Sequence, residues 1–304
     1  MSTTSLFVAV CAAAFALLVA GGAGAAEQAT KVQLAAGLDA AQEVPRPRGN
    51  VGTARGTFQA TATASGTGAV LQWRLTFARL SGAATAAHIH VAPRGQAGPV
   101  ALSLCRPCSN GARGRAEVTS DVRRAIATGR AYVNVHTAAN ASGEIRGQIG
   151  VQTRVRATLD ARQEVPRPRD AARASGVFTA TVTKTGTTAV ISWRLTFTRL
   201  TGQAVAAPVH LGARGRAGRV AVPLCGQCRS GARGQATIRG AALTALERGG
   251  TYVNVHTARN PAGEIRAQLP ALPLTLTGGG SGSGGGGGGG GDDPPPYPPG
   301  DPYP

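Results

Sequence analysis

The residues best equipped for chemistry in this chain are its five histidines. His88 and His90 lie two apart in Ala87-His88-Ile89-His90-Val91, whose apolar-polar alternation predicts a strand. Side chains two apart on a strand share a face, so both imidazoles project the same way. His136 ends a second alternating segment, Tyr132-Val133-Asn134-Val135-His136, and shares its face with Tyr132 and Asn134. If these three imidazoles converge, they suit copper or zinc. The competing reading is that each histidine hydrogen-bonds to backbone or a carboxylate at a strand end.

The chain tests itself, because it is written twice. Residues 132–146 read YVNVHTAANASGEIR and residues 252–266 read YVNVHTARNPAGEIR. His90 matches His210, His136 matches His256, and Asn134 matches Asn254. Pro208 stands where His88 stands, which favours the structural role for the histidines and assigns any metal site to the first repeat.

Two carboxylates recur as well, Glu43 with Glu164 and Glu144 with Glu264. Paired carboxylates can hydrolyse a glycosidic bond when they face each other across a cleft. The plainer expectation is that each pairs with an arginine, such as Arg146 or Arg266, or accepts bonds from a turn. The partner of Glu144 is expected on another strand.

Cys105-Arg106-Pro107-Cys108 and Cys225-Gly226-Gln227-Cys228 invite comparison with redox CxxC motifs. A redox pair places its first cysteine at a helix N-terminus, whereas Ser109-Asn110-Gly111 is loop composition. One local disulfide per repeat is expected. A four-cysteine zinc site and disulfides crossing between repeats are the alternatives.

The elements positioning these residues are mostly strands. Thr57–Thr63 and Val70–Phe77 alternate and are bounded by Gly, Ser and Thr. One short helix is expected per repeat, Asp121–Thr128 capped by Ser120 and Ala241–Arg248 closed by Gly249-Gly250. The fold class is therefore all-β: two tandem antiparallel β-sandwich domains, each with one short helix, plus a disordered Gly/Pro-rich tail.

The chain opens on an apolar run, residues 6–20, followed by Ala23-Gly24-Ala25. This reads as a secretory signal peptide over 1–26, although no Lys or Arg precedes the run. Domain one is expected at 27–150, domain two at 151–277 and the tail at 278–304. Four cysteines then remain, an even count suited to an oxidising compartment. The expected location is secreted, extracellular or periplasmic, with no transmembrane segment in the mature chain.

Net charge is +18, and only Lys31 and Lys184 of the cations are lysine. Such a surface attracts polyanions. Pro45-Arg46-Pro47-Arg48 and its copy Pro166-Arg167-Pro168-Arg169 could present cations to an acidic glycan, or be solvated loops.

Gln42-Glu43-Val44-Pro45, His88-Ile89-His90, Gly98-Pro99-Val100 and the block from Tyr132 through Gln148 resemble the CHRD domain, the module named after chordin. The second copy carries Gln163-Glu164-Val165-Pro166, His210 and Tyr252 through Gln268. The resemblance implies an all-β, extracellular, non-enzymatic module. In chordin such repeats belong to a protein that binds growth factors of the bone morphogenetic type. No chordin-type cysteine-rich modules flank them here, so that ligand is not carried over.

These readings give a secreted non-enzymatic binding or structural module, with no cofactor required. Its partners would be extracellular protein or acidic polysaccharide, and not nucleic acid. The alternative is a copper- or zinc-binding protein similar to Cu/Zn superoxide dismutase, through His88, His90 and His136.

Overall fold

The computed structural model describes residues 31–276. The expected signal peptide and the tail from residue 278 lie outside the described residues. The first repeat contains β1 (Lys31–Asp39), β2 (Arg55–Ser65), β3 (Gly68–Ala78), β4 (Ala84–Val91), β5 (Val100–Cys105) and β6 (Arg113–Val118). Helix α1 (Ser120–Ala127) leads into β7 (Ala131–Thr137) and β8 (Ile145–Gln148). The second repeats this order with β9 (Gly150–Asp160), β10 (Ser175–Thr185), β11 (Thr188–Thr198), β12 (Ala204–Leu211), β13 (Val220–Cys225) and β14 (Ala232–Arg239). Helix α2 (Gly240–Glu247), β15 (Thr251–Thr257) and β16 (Ile265–Gln268) complete it.

Each repeat is an antiparallel sandwich. Its front sheet runs β6-β3-β2-β1 and its back sheet β5-β4-β7-β8. The two meet where Asp39 of β1 pairs with Arg146 of β8. The second repeat closes the same way, with Asp160 of β9 against Arg266 of β16.

The alternation seen in the sequence defines the core. Leu71 and Leu75 on β3 are fully buried, while Gln72 and Arg74 between them face solvent. Phe58 joins them from β2, and Ile89, Val133, Val135 and Ile145 from the back sheet. Each such large apolar side chain contributes about 1.5–3 kcal/mol when removed from water. Gly114 faces Trp73 across the β3–β6 pair, and a Cβ there would stand 2.6 Å from the indole ring. Gly234 and Trp193 repeat that fit.

The repeats are not independent beads. Gln33, Leu34 and Ala35 of β1 pair with Gln152, Val151 and Gly150 of β9. The two front sheets therefore join into one surface of eight strands, β6-β3-β2-β1-β9-β10-β11-β14. After β16, Leu272 and Leu274 enter the second core and Leu276 the first.

Local details sharpen the sequence reading. Helix α1 starts one residue earlier than expected, because Thr119 rather than Ser120 is the cap and its Oγ1 accepts from Val122 N at 3.4 Å. Helix α2 begins at Gly240 and has no side-chain cap, since Arg239 carries only donors. The cysteines pair within each repeat, Cys105 with Cys108 and Cys225 with Cys228. Cys105 and Cys225 end strands rather than begin helices, unlike a redox CxxC. Among the described residues, no helix is long and apolar enough to cross a membrane.

Candidate metal centre

Strands β4 and β7 are antiparallel neighbours, with His88 opposite Asn134 and His90 opposite Tyr132. Ile89, Val133 and Val135 point into the sandwich, so the histidines, Tyr132 and Asn134 occupy the other face. His136 sits across from Ala86, beside an irregularity between Ala84 and Ala86. The three histidines that the sequence singled out meet: one ring nitrogen from each lies within 4.8 Å of the others.

Their hydrogen bonds fix the tautomers. His90 Nδ1 lies 2.9 Å from Gly98 O, and His136 Nδ1 lies 2.8 Å from Ala141 O. A carbonyl only accepts, so both Nδ1 atoms carry the proton and both Nε2 atoms expose a lone pair. His90 Nε2 is buried with no hydrogen-bond partner of normal geometry, although Asn134 lies close enough to influence the ring's charge. His136 Nε2 lies 2.9 Å from His88 Nδ1, which must therefore donate to it. Metal-bound histidines are held in this way, with the outer nitrogen donating to a carbonyl and the inner one free to ligate. The backbone-bonding reading and the metal reading thus describe two nitrogens of the same rings.

Burial holds all three imidazoles neutral. It is the main cause at His88, whose pKa falls to about 4 with help from His136, His90 and Arg106. Burial also lowers His90 and His136, opposed at each by the hydrogen bond to a carbonyl. Neutral imidazole is the ligating form.

Tyr132, which the sequence reading placed on this face without a role, stacks on His90 at 5.0 Å between ring centroids. Its hydroxyl accepts from Gly98 N at 3.1 Å. Arg146 covers the Tyr132 ring at 3.4 Å and donates to Gln96 O and Pro93 O. Gln148 Nε2 donates to Ala92 O and Gly129 O. Arg146 and Gln148 thus clamp the 92–99 loop over the histidines. The duplicated Tyr and Gln were the available signal for this: Tyr252, Arg266 and Gln268 build the same clamp in the second repeat.

The carboxylates do other work: of the two expectations, an arginine partner or bonds from a turn, Glu144 and Glu264 take the second. Glu144 accepts from Ser81 N at 2.6 Å, Thr137 Oγ1 at 2.7 Å and Asn140 Nδ2 at 3.2 Å, besides a short contact with Ser81 Oγ. It ties the turn before β4 to the β7–β8 connection. Glu264 repeats this with Thr201, Thr257 and Asn260. These donors hold both carboxyls below the usual range against the opposing effect of burial.

Glu43 and Glu164 are buried as well, at 2% and 3% exposure, but the hydrogen bonds they accept are fewer. Burial raises Glu43 to about 7 and Glu164 to about 8, opposed by Arg146 and Arg266 among others. Asn254 Nδ2 donates to Glu164 Oε2 at 3.3 Å. Gly143, at φ +126, lies over Glu43 and Asn134, where a Cβ would come within 2.5 Å of Glu43 Oε2. Gly263 does the same over Glu164 and Asn254. This explains the glycine of the repeated Gly-Glu-Ile-Arg block.

In the second repeat His210 Nδ1 meets Gly218 O at 2.8 Å and His256 Nδ1 meets Pro261 O at 2.9 Å. His210 Nε2 is again buried and unpartnered. The third position is Pro208, opposite Pro223 where His88 stands opposite Ser103. Two anchored imidazoles remain and the set of three is broken.

The fold and site together define a duplicated β-sandwich module whose loops cover a buried layer of His, Tyr, Asn, Glu and Arg. The CHRD domain profile matches residues 34–149 and again 155–269, so the chain belongs to the CHRD domain family as two tandem repeats. No curated protein and no solved structure matches the chain.

Proposed function

We propose that this is an extracellular, non-enzymatic binding module of two CHRD domains, and that the first domain holds one copper or zinc ion on His88, His90 and His136. The second domain is the metal-free copy. One observation carries the reading: three neutral imidazoles converge within 4.8 Å, two of them anchored through Nδ1 so that Nε2 points inward. The location rests on the two disulfides, which suit an oxidising compartment.

Binding requires no net change in protonation. His88 would hold the ion through Nδ1 once its hydrogen stood on Nε2 instead, beside Nε2 of His90 and His136. Zinc–nitrogen bonds of about 2.0–2.1 Å require the three rings to draw together, and the ion would take a further ligand from water or a partner. Thermal unfolding of the chelator-stripped chain tests the reading. Zinc or copper at about 100 times its dissociation constant should stabilise the first domain by about 2.7 kcal/mol. His136→Ala should abolish that response. An equal upward shift in the variant overturns the assignment.

A further inference from the structure

The outer face of the eight-stranded front sheet takes no part in the metal centre, and its charge calls for an explanation. On β3 and β6, Arg74 stands directly opposite Arg113. On β11 and β14, Arg194 stands directly opposite Arg233. All four are exposed. Like charges facing each other across a strand pair are destabilising. The duplication kept both pairs while their neighbours drifted: Gln59 became Thr179, Gln72 became Ser192 and Arg115 became Gln235. Arg154 and Arg156 add two exposed cations on β9, midway between the pairs.

Among the described residues no carboxylate forms an ion pair with them; the ion pair there is Lys184–Glu247, which involves none of these arginines. Glu117 faces the same side from β6 without pairing, and Asp39 and Asp160 accept from turn backbone. Two grooves of about 1100 and 680 Å³ lie along this face, one over each repeat's front strands. The β1–β9 pairing makes them one oblique track, roughly 34 Å wide over the seven spacings of about 4.8 Å between eight strands, with the row of Arg194 meeting β9 at Arg156 and the row of Arg74 meeting it at Gly150.

We infer that this face binds a linear acidic polysaccharide, laid obliquely over the strands with its carboxylates or sulfates on the Arg74–Arg113, Arg154–Arg156 and Arg194–Arg233 clusters. Arginine forks pair bidentately with such groups. Between the clusters stand Gln59, Gln72, Thr61, Thr179, Thr181 and Ser192, which suit sugar hydroxyls. The clusters carry no exposed aromatic for base stacking and no apolar wedge for a bilayer. A second copy would bring the same positive charge to the face.

The test is binding of the full chain to immobilised heparin (sulfated) and polygalacturonate (carboxylated) as a function of salt. Arg74→Gln, Arg113→Gln, Arg194→Gln and Arg233→Gln together should weaken binding at least about tenfold and lower the log–log salt slope by about one per arginine. A second variant removes as much charge from the Pro-Arg loops, at Arg46, Arg48, Arg167 and Arg169, and should change affinity less than about threefold. Because the sheet arginines are exposed, the first variant should melt no lower than the parent. An equal loss in both variants overturns the site, since it means bulk charge alone. Tighter binding to duplex DNA or anionic vesicles than to either polysaccharide overturns the ligand. Binding seen only after removal of residues 278–304 gives the face to the chain's own Asp292-Asp293 segment and overturns the proposal too.

Discussion

His88 Nδ1 and His136 Nε2 face each other at 2.9 Å, on strands that bring together residues 48 positions apart. That contact is the difference between the repeats. Much of the rest of the layer is duplicated: the Tyr stacked on a His, the Arg over the Tyr, the Asn beside a buried Glu. With His88 the first repeat has three ring nitrogens within 4.8 Å of one another. With Pro208 the second has two.

The asymmetry predicts a gain of function. Pro208→His should give the second repeat its missing ligand, and the double-domain chain should then take up two zinc equivalents where the parent takes one. Calorimetric titration counts them. A variant that folds and still binds one would show that three histidines are not enough in this frame.

Glu164 carries a pH signature in the repeat that lacks the metal set. Its folded pKa of about 8 lies above the ordinary 4.5, so the folded chain holds this proton more tightly than the unfolded chain. The resulting stabilisation is complete below about 4.5 and disappears as pH rises through about 8. Glu164→Gln keeps the neutral shape and removes the titration. The parent should therefore lose more stability than the variant between pH 5 and pH 8.5, measured by urea unfolding. Identical pH profiles would mean that Glu164 is ionised in the folded chain.

Gly143 and Gly263 combine a positive φ with side chains packed against the missing Cβ. Gly143→Ala and Gly263→Ala should each destabilise by more than about 1 kcal/mol. Alanine at Gly52, where nothing approaches within 4 Å and φ is not in the left-handed region, should cost far less. Chemical denaturation of the three variants ranks them, and an equal cost at all three would contradict the packing argument.

Arg266 is 1% exposed and holds two carbonyls and an aromatic ring at once. Arg266→Lys keeps the charge and loses the planar fork, so it should destabilise by about 2 kcal/mol or more. Arg146→Lys should do the same in the first repeat and also loosen the loop over the histidines. Native-state hydrogen exchange should then rise at Gly98, whose N–H is bonded to the Tyr132 hydroxyl. Unchanged protection at Gly98 would separate the arginine from the loop.

Part of the back-sheet face was legible in the sequence: counting residues sets His88 and His90 on one face of their strand and His136 on one face of its own with Tyr132 and Asn134, while only the β4–β7 pairing makes those faces one. The link between the repeats was not legible. It is made by Gln33, Leu34 and Ala35 against Gln152, Val151 and Gly150, and nothing in their composition distinguishes a pairing edge from a free one. The burial of Glu43 was equally hidden, since it directly precedes Val44 and the Pro45-Arg46-Pro47-Arg48 stretch that reads as a solvated loop, and tertiary contacts cover its carboxylate. The partner of Glu144 is the turn at Ser81, 63 residues away, which no local pattern encodes. Helix α1 was placed to within a residue because Thr119 and Ser120 are both good caps and geometry chose between them.

The central claim is tested most directly by metal stoichiometry after chelator treatment, loading with zinc or copper, and exhaustive dialysis. The account predicts one equivalent per chain, less than about a tenth of an equivalent in His88→Ala and His136→Ala, and one equivalent in His210→Ala. Less than a tenth in the parent, or a full equivalent retained in His88→Ala, would contradict it.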